Sequence, residues 1–311
     1  MRIGVIADAS CDLPEAFLRE FDIGILPVTV LLDTESFDDC RDATRTQRFY
    51  EEQLSGRGLN ARTVAYSVEQ TRDLLRERYL PACDYAFCIT LSGTRGKTYE
   101  NTAKAAFAIL ADEQSGDQPS RPFALRVIDS RSMFSGTGVL VAEAAKLARD
   151  SGRPFAMRLR LETLSDAICT YMVPGDLYYL RTRAQHKGER SVDALGYLIG
   201  SALDLRPVLL GYRGDTQVVA RVRGYLHAVE RMFAHVARQI ELGIDTRHLC
   251  VSYGGELEAL AALPGYAVLR DVAARHGIEL LASVMSVAAA VNVGVGCVSV
   301  AYGGELRPFV S

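Results

Sequence analysis

The sequence predicts an α/β protein, with a mostly parallel N-terminal α/β sandwich domain at residues 1–160 and a smaller α+β domain at residues 161–311. Three observations predict it. Short apolar runs alternate with helical patterns through the first 150 residues, as a parallel sheet covered on both faces requires. The chain opens on a strand that runs straight into a polar turn. After Gly152-Arg153-Pro154 the texture changes, and strands are joined by polar turns such as Arg213-Gly214-Asp215. A length of 311 residues also suits two cores better than one.

In order along the first half, strands are expected at Arg2–Ala7, Ile23–Leu32, Tyr85–Leu91 and Ala124–Ile128. Helices are expected near Pro14–Glu20, Thr46–Ser55, Val68–Tyr79, Thr98–Asp112 and Gly138–Ser151, and Gln114–Pro122 reads as a surface loop. The first strand ends in Asp8, Ser10 and Asp12, and Leu13-Pro14 opens a helix with proline where its missing N–H costs least. Ligands of open α/β sheets bind at this carboxyl edge. In the second half, Ala167–Val173, Leu205–Tyr212 and Gln217–Arg223 read as strands. Gly224–Leu242 has the clearest helical face, through Leu226, Val229, Met232, Phe233, Val236 and Ile240. Leu280–Tyr302 carries no charge, but its Ala, Ser and Gly content and Gly294-Val295-Gly296 indicate two buried strands joined by a turn rather than a membrane span.

Composition excludes several function classes. The chain is 49% apolar and 23% charged with a net charge of −3, and its arginines are scattered, so no nucleic-acid partner is expected. Seven cysteines without a Cys-x-x-Cys pair and without a leader read as reduced thiols in the cytoplasm. The five histidines have no metal spacing, and no metal site is expected.

Two motifs invite catalytic readings. Leu91-Ser92-Gly93-Thr94-Arg95-Gly96-Lys97-Thr98 ends like a phosphate-binding loop, and an ATP-dependent small-molecule kinase would use Gly96-Lys97-Thr98 with Asp129. The first glycine of that motif is Leu91 here. The bland alternative is a capped turn, and between the two lies a simple anion site. Asp8-Ala9-Ser10 follows a strand as in haloacid-dehalogenase-type phosphatases, but Ser10 replaces the second aspartate that would carry the proton. With no evident catalytic set, a binding protein is favoured over an enzyme.

In order and spacing, the turns resemble those of the DegV family of bacterial fatty-acid-binding proteins. Ile3–Pro14 is similar to that family's Asp-Ser-Thr-x-Asp-Leu-Pro opening, and Ile25-Leu26-Pro27-Val28-Thr29-Val30 to its second strand. Thr63-Val64-Ala65-Tyr66-Ser67 takes the place of its Thr-Ser-Gln-Pro-Ser, while Ile89–Ala103 and Val127–Gly138 continue the series. In the second half Gly200–Leu209, Arg221-Val222-Arg223-Gly224 and Gly294-Val295-Gly296 follow the same order.

The resemblance implies a slot near the domain cleft that holds a long-chain fatty acid, with no other cofactor. It also implies a separate fatty acid kinase catalytic subunit as partner, with transient membrane contact. The ligand carboxylate would be met by Thr63, Ser92 and Asn292, with Ser10, Thr98 and Ser135 as further ligand-binding candidates. The chain departs from the family where Asn292 stands at a histidine position and where Arg183-Ala184-Gln185-His186 replaces Gly-Gly-Arg-Ile. An amide can donate to a carboxylate but cannot shuttle a proton, which puts delivery to a standard kinase in question. A third reading is a non-lipid interaction or regulatory protein. Asp8 and Asp12 would repel a carboxylate and are expected to hold the turn.

Overall fold

A computed structural model describes residues 1–33, 35–54, 60–114, 123–150, 152–179 and 204–310. The first sheet is parallel, built from β1 (Ile3–Asp8), β2 (Gly24–Leu26), β6 (Tyr85–Thr90) and β7 (Ala124–Asp129) in the order β2-β1-β6-β7. The apolar run at 23–32 forms two strands rather than one, because Pro27 has no N–H for a ladder. Its second piece, β3 (Val28–Leu31), leaves the parallel sheet and pairs antiparallel with β4 (Ser36–Asp39) and β5 (Arg62–Ala65).

Helices cover both faces of the parallel sheet. Alternate residues Ile6, Ala86, Cys88 and Leu125 point to one side with Ala106 and Ile109 of α4 (Thr98–Gln114) and Leu75, which follows α3 (Val68–Leu74). Val5, Ala7, Phe87, Ile89 and Ile128 point to the other, against α5 (Ser135–Asp150). Two further helices of this half are α1 (Glu15–Glu20) and α2 (Ala43–Glu51).

The second sheet is mixed, in the order β10-β9-β8-β13-β11-β12. It comprises β8 (Ile168–Val173), β9 (Leu205–Tyr212), β10 (Asp215–Arg223), β11 (His248–Tyr253), β12 (Glu279–Val284) and β13 (Val298–Gly303). Its outer face carries Tyr171, Val173, Leu249, Val251, Val298 and Val300, buried under α7 (Tyr225–Leu242) and α9 (Tyr266–Arg275), with the short α8 (Leu257–Ala261) beside them. Its inner face packs Ile168, Cys250, Leu281 and Ala301 onto α5. Thus α5, buried without a break from Ser135 to Ala145, is the common floor of both sheets. The division expected at residues 160 and 161 falls inside α6 (Pro154–Ser165), whose Met157, Leu161 and Leu164 join the same core.

The uncharged stretch 280–302 differs from expectation. Its two strands, β12 and β13, are joined by a helix, α10 (Val287–Val293), as well as a glycine turn. Ser286 caps α10 by accepting the Ala289 N–H at 3.2 Å. Among the described residues no helix is long and apolar enough to cross a membrane. Arg183-Ala184-Gln185-His186 and positions 200–203 lie outside the described residues.

Candidate functional site

The opening turn is an internal brace. Asp8 is fully buried and accepts from Ser10 N at 2.8 Å, Ser10 Oγ at 2.5 Å and Leu91 N at 2.5 Å, tying the ends of β1 and β6 together. Burial pushes its carboxyl above the usual aspartate range, against the pull of those donors. Asp12 reaches across to the second sheet. Its Oδ1 accepts Ser286 N at 2.9 Å and faces Arg41 Nη1 at 3.4 Å, while Arg41 Nη2 donates to the carbonyls of Leu13 and Val284. Desolvation raises the Asp12 carboxyl, and Arg41 opposes it. Asp39 completes the set by accepting Ala288 N at 2.9 Å. Two carboxylates therefore anchor the N-terminal end of α10, and Asp8 and Asp12 hold turns, as expected.

The inner face of the second sheet is graded. Register partners run Ser283, Ser252 and Ser299 across β12, β11 and β13, then Met172, Leu209 and Val218 across β8, β9 and β10. The serine end is buried. Ser299 pairs with Ser135 of α5 at 2.6 Å, and Ser132 pairs with Thr170 at 2.7 Å. Ser252 lies near enough to Asp12 to lower its carboxyl, yet neither its hydroxyl nor that of Ser283 meets strict hydrogen-bond geometry with a partner among the described residues. The other end is apolar, where Met172, Leu209 and Val218 cluster with Met133, Phe134, Met285, Ala289, Val293 and Cys297. One face thus grades from neutral hydroxyls to a methionine-rich, deformable apolar patch.

The predicted site residues fall in three places. Thr63, half-buried on β5, and Asn292, on α10, occupy neighbouring elements, because Val287, Ala290 and Val291 of α10 pack onto Val30, the β3 partner of Thr63. Asn292 Nδ2 donates to Ala288 O within its own helix at 2.7 Å. Ser92, 1% exposed, lies at the carboxyl end of β6, where its N–H donates to Ser132 O and its hydroxyl pairs with Thr94 at 2.9 Å. Ser10 spends its hydroxyl proton on Asp8, and Ser135 is engaged with Ser299. Thr98 is buried at the first position of α4.

The residues of the kinase reading are engaged elsewhere. Lys97 Nζ lies 2.6 Å from Glu100 on an exposed helical turn, and Asp129 accepts the N–H groups of Gly93 and Arg131. Among the described residues no cluster of His, Cys, Asp and Glu is arranged to hold a metal.

Sequence reasoning missed Ser252, Ser283 and Ser299. The signal was slight: Ser252, Ser283 and Ser299 each stand two residues from an apolar residue of the same strand face (Cys250, Leu281 and Ala301), inside runs that are otherwise apolar.

Two sheets sharing one central helix, with a buried hydroxyl row grading into an apolar patch across the inner face of the second, define the class of this protein as a two-sheet α/β fold. The chain belongs to the DegV family, whose model, described as an uncharacterised protein family, matches residues 2–305. A DegV domain-containing protein of Xanthomonas axonopodis pv. citri is 44% identical over 313 residues, covering 99% of each chain. A structure described as fatty acid binding of a DegV family protein from Thermus thermophilus superposes with a TM-score of 0.72 at 23% identity, covering 97% of this chain and 100% of its own. A stearic acid-binding protein from Eubacterium ventriosum gives a TM-score of 0.75 at 19% identity, with 98% of each chain covered. At these identities the structural likeness establishes the α/β fold.

Proposed function

We propose that this protein binds a long-chain fatty acid, holding the carboxylate among hydroxyls and burying the acyl chain against the apolar end of the second sheet. The observation that carries the reading is the gradient from Ser283, Ser252 and Ser299 to Met172, Leu209 and Val218 on one face. Neutral hydroxyls can donate to a carboxylate without repelling it. Each buried CH₂ contributes about 0.8 kcal/mol, so the chain supplies affinity and the polar groups supply orientation. Relatives with the same fold are described as binding fatty acids, stearic acid among them. In this proposal Ser92 contacts the carboxylate; Thr63 and Asn292, on the neighbouring β5 and α10, are the alternative head-group contacts, and Ser10, Thr98 and Ser135 are secondary ligand-binding candidates. The protein acts as a cytoplasmic binding subunit without catalytic residues, presenting the acid to a separate kinase subunit that forms the acyl phosphate.

Native mass spectrometry of the purified chain, followed by lipid extraction, tests the binding step. The expected result is a co-purifying C14–C18 acid and retention of added acid after desalting. Absence of any acyl ligand, together with no measurable affinity for C14–C18 acids, sinks the proposal. The presentation step has its own test, which is acyl-phosphate formation when the loaded protein is mixed with ATP and a fatty acid kinase catalytic subunit.

A further inference from the structure

The hairpin between β9 and β10 turns at Arg213-Gly214, with φ of 50° and 86°. Two positive φ values in a two-residue loop mark a tight, twist-matched turn that is rigid by construction. This tip reaches from the second sheet onto the carboxyl edge of the first. Gly214 N donates to Arg131 O at 2.7 Å, and Arg213 Nε donates to Asp166 O at 3.1 Å. From the β6–α4 loop, Thr94 Oγ1 donates to Gly214 O at 2.8 Å. Arg95 Nη2 donates to Gly214 O at 3.1 Å and to Thr216 Oγ1 at 2.6 Å. Beneath the tip is Ser92, and a Cβ built on Gly214 would lie 3.0 Å from its hydroxyl.

The hydroxyl chain has a direction. Thr94 has one proton, and it points to Gly214 O, so in the Ser92–Thr94 pair Ser92 is the donor. A carboxylate offers only acceptors and engages Ser92 by taking that proton away from Thr94. The Thr94–Gly214 and Arg95–Gly214 bonds are untouched by this exchange. The tip stays tied down whether or not a head group is present.

We infer that Thr94 and Arg95 are positioning residues that clasp the Arg213-Gly214 tip over Ser92 and thereby set the rate at which an acid's head group reaches and leaves that hydroxyl. The inference rests on Ser92 being a head-group contact, as in the proposed function. A clasp closed in both states slows entry and exit alike and leaves their ratio unchanged. A direct ligand contact would change exit and affinity together.

Stopped-flow binding of a fluorescent C18 polyene acid to the full chain separates these cases. In Arg95→Ala, association and dissociation rates are both expected to rise about tenfold, equivalent to about 1.4 kcal/mol, with Kd constant within about twofold. Thr94→Val should act in the same direction, and Thr94→Ser, which keeps the hydroxyl, should restore wild-type rates. Amide exchange at Gly214 should quicken in Arg95→Ala. Unchanged rates in Arg95→Ala and Thr94→Val, with wild type binding normally, overturn the clasp alone. So does a faster exit matched by an equal loss of affinity. A wild-type chain that binds no acid overturns the fatty-acid reading and the clasp with it.

Discussion

Acidification should destabilise this protein through one histidine. His235 of α7 is 2% exposed, its Nε2 lies 3.0 Å from Tyr171 Oη, and its Nδ1 accepts the Val310 N–H at 3.3 Å. That acceptor role fixes the neutral ring, with the proton on Nε2. Phe309 stacks on the ring at 4.5 Å, so the C-terminal segment is held down by an uncharged imidazole. Desolvation, aided by Arg238, pushes its pKa from 6.5 down to about 4. Between those values the unfolded chain binds more protons than the folded one, so stability is full above pH 6.5 and is lost as pH falls. The slope is about 1.4 kcal/mol per pH unit, giving a loss of about 2 kcal/mol between pH 7 and pH 5. Asp8 and Asp12, raised by burial, act with the opposite sign and gain as pH falls. The difference between wild type and His235→Gln cancels them. Urea unfolding of both at pH 7, 6 and 5 should show the wild type converging on the variant by about 2 kcal/mol. Two parallel stability lines would refute the reasoning.

Other substitutions probe the junction between the sheets. A Cβ on Gly136 would overlap the hydroxyls of Ser132 and Thr170, so Gly136→Ala should break their bond and cost about 1–3 kcal/mol in urea midpoint measurements. Arg41→Met leaves the buried Asp12 carboxylate unpaired and should cost about 3–5 kcal/mol, recovered in large part by adding Asp12→Asn. Ser92→Ala should weaken C16 acid binding by about tenfold in equilibrium titration, since one charge-assisted hydrogen bond is lost, and should cost about 1 kcal/mol in urea unfolding because the buried Ser92–Thr94 bond goes with it.

The parallel sheet was readable because each of its outer connections places one apolar run before one helix, and the observed β1, β6 and β7 end within one residue of expectation. Asp8 and Asp12 were readable as turn-holders because a carboxylate repels another carboxylate. What escaped is mostly non-local. The Pro27 break was visible, but the sheet that receives β3 depends on partners at 36–39 and 62–65. α10 was hidden because a seven-residue helix whose one polar residue is Asn292 has too little of a polar face to reveal its period, although Ser286 stood ready as a cap. α5 begins at Ser135 rather than at 138, and Gly136 and Gly138 within its first turn allow close approach to Ser132, Thr170 and the Asp12 backbone, contacts that no local pattern announces. The Ser135–Ser299 pair spans 164 positions, and no local pattern encodes it.

The placement of α5 has a mechanical consequence. Its side chains interlock with β1 and β6 on one flank and with β8, β11 and β13 on the other, so it acts as a keel to which both sheets are bolted. A swing of one sheet against the other would drag close-packed methyl groups across one another, and densely packed interfaces resist such sliding. In the proposed function, exchange of the acid through this junction would proceed by lifting peripheral turns. The work of opening falls on a few hydrogen bonds at the rim, where single residues can tune it without cost to the core.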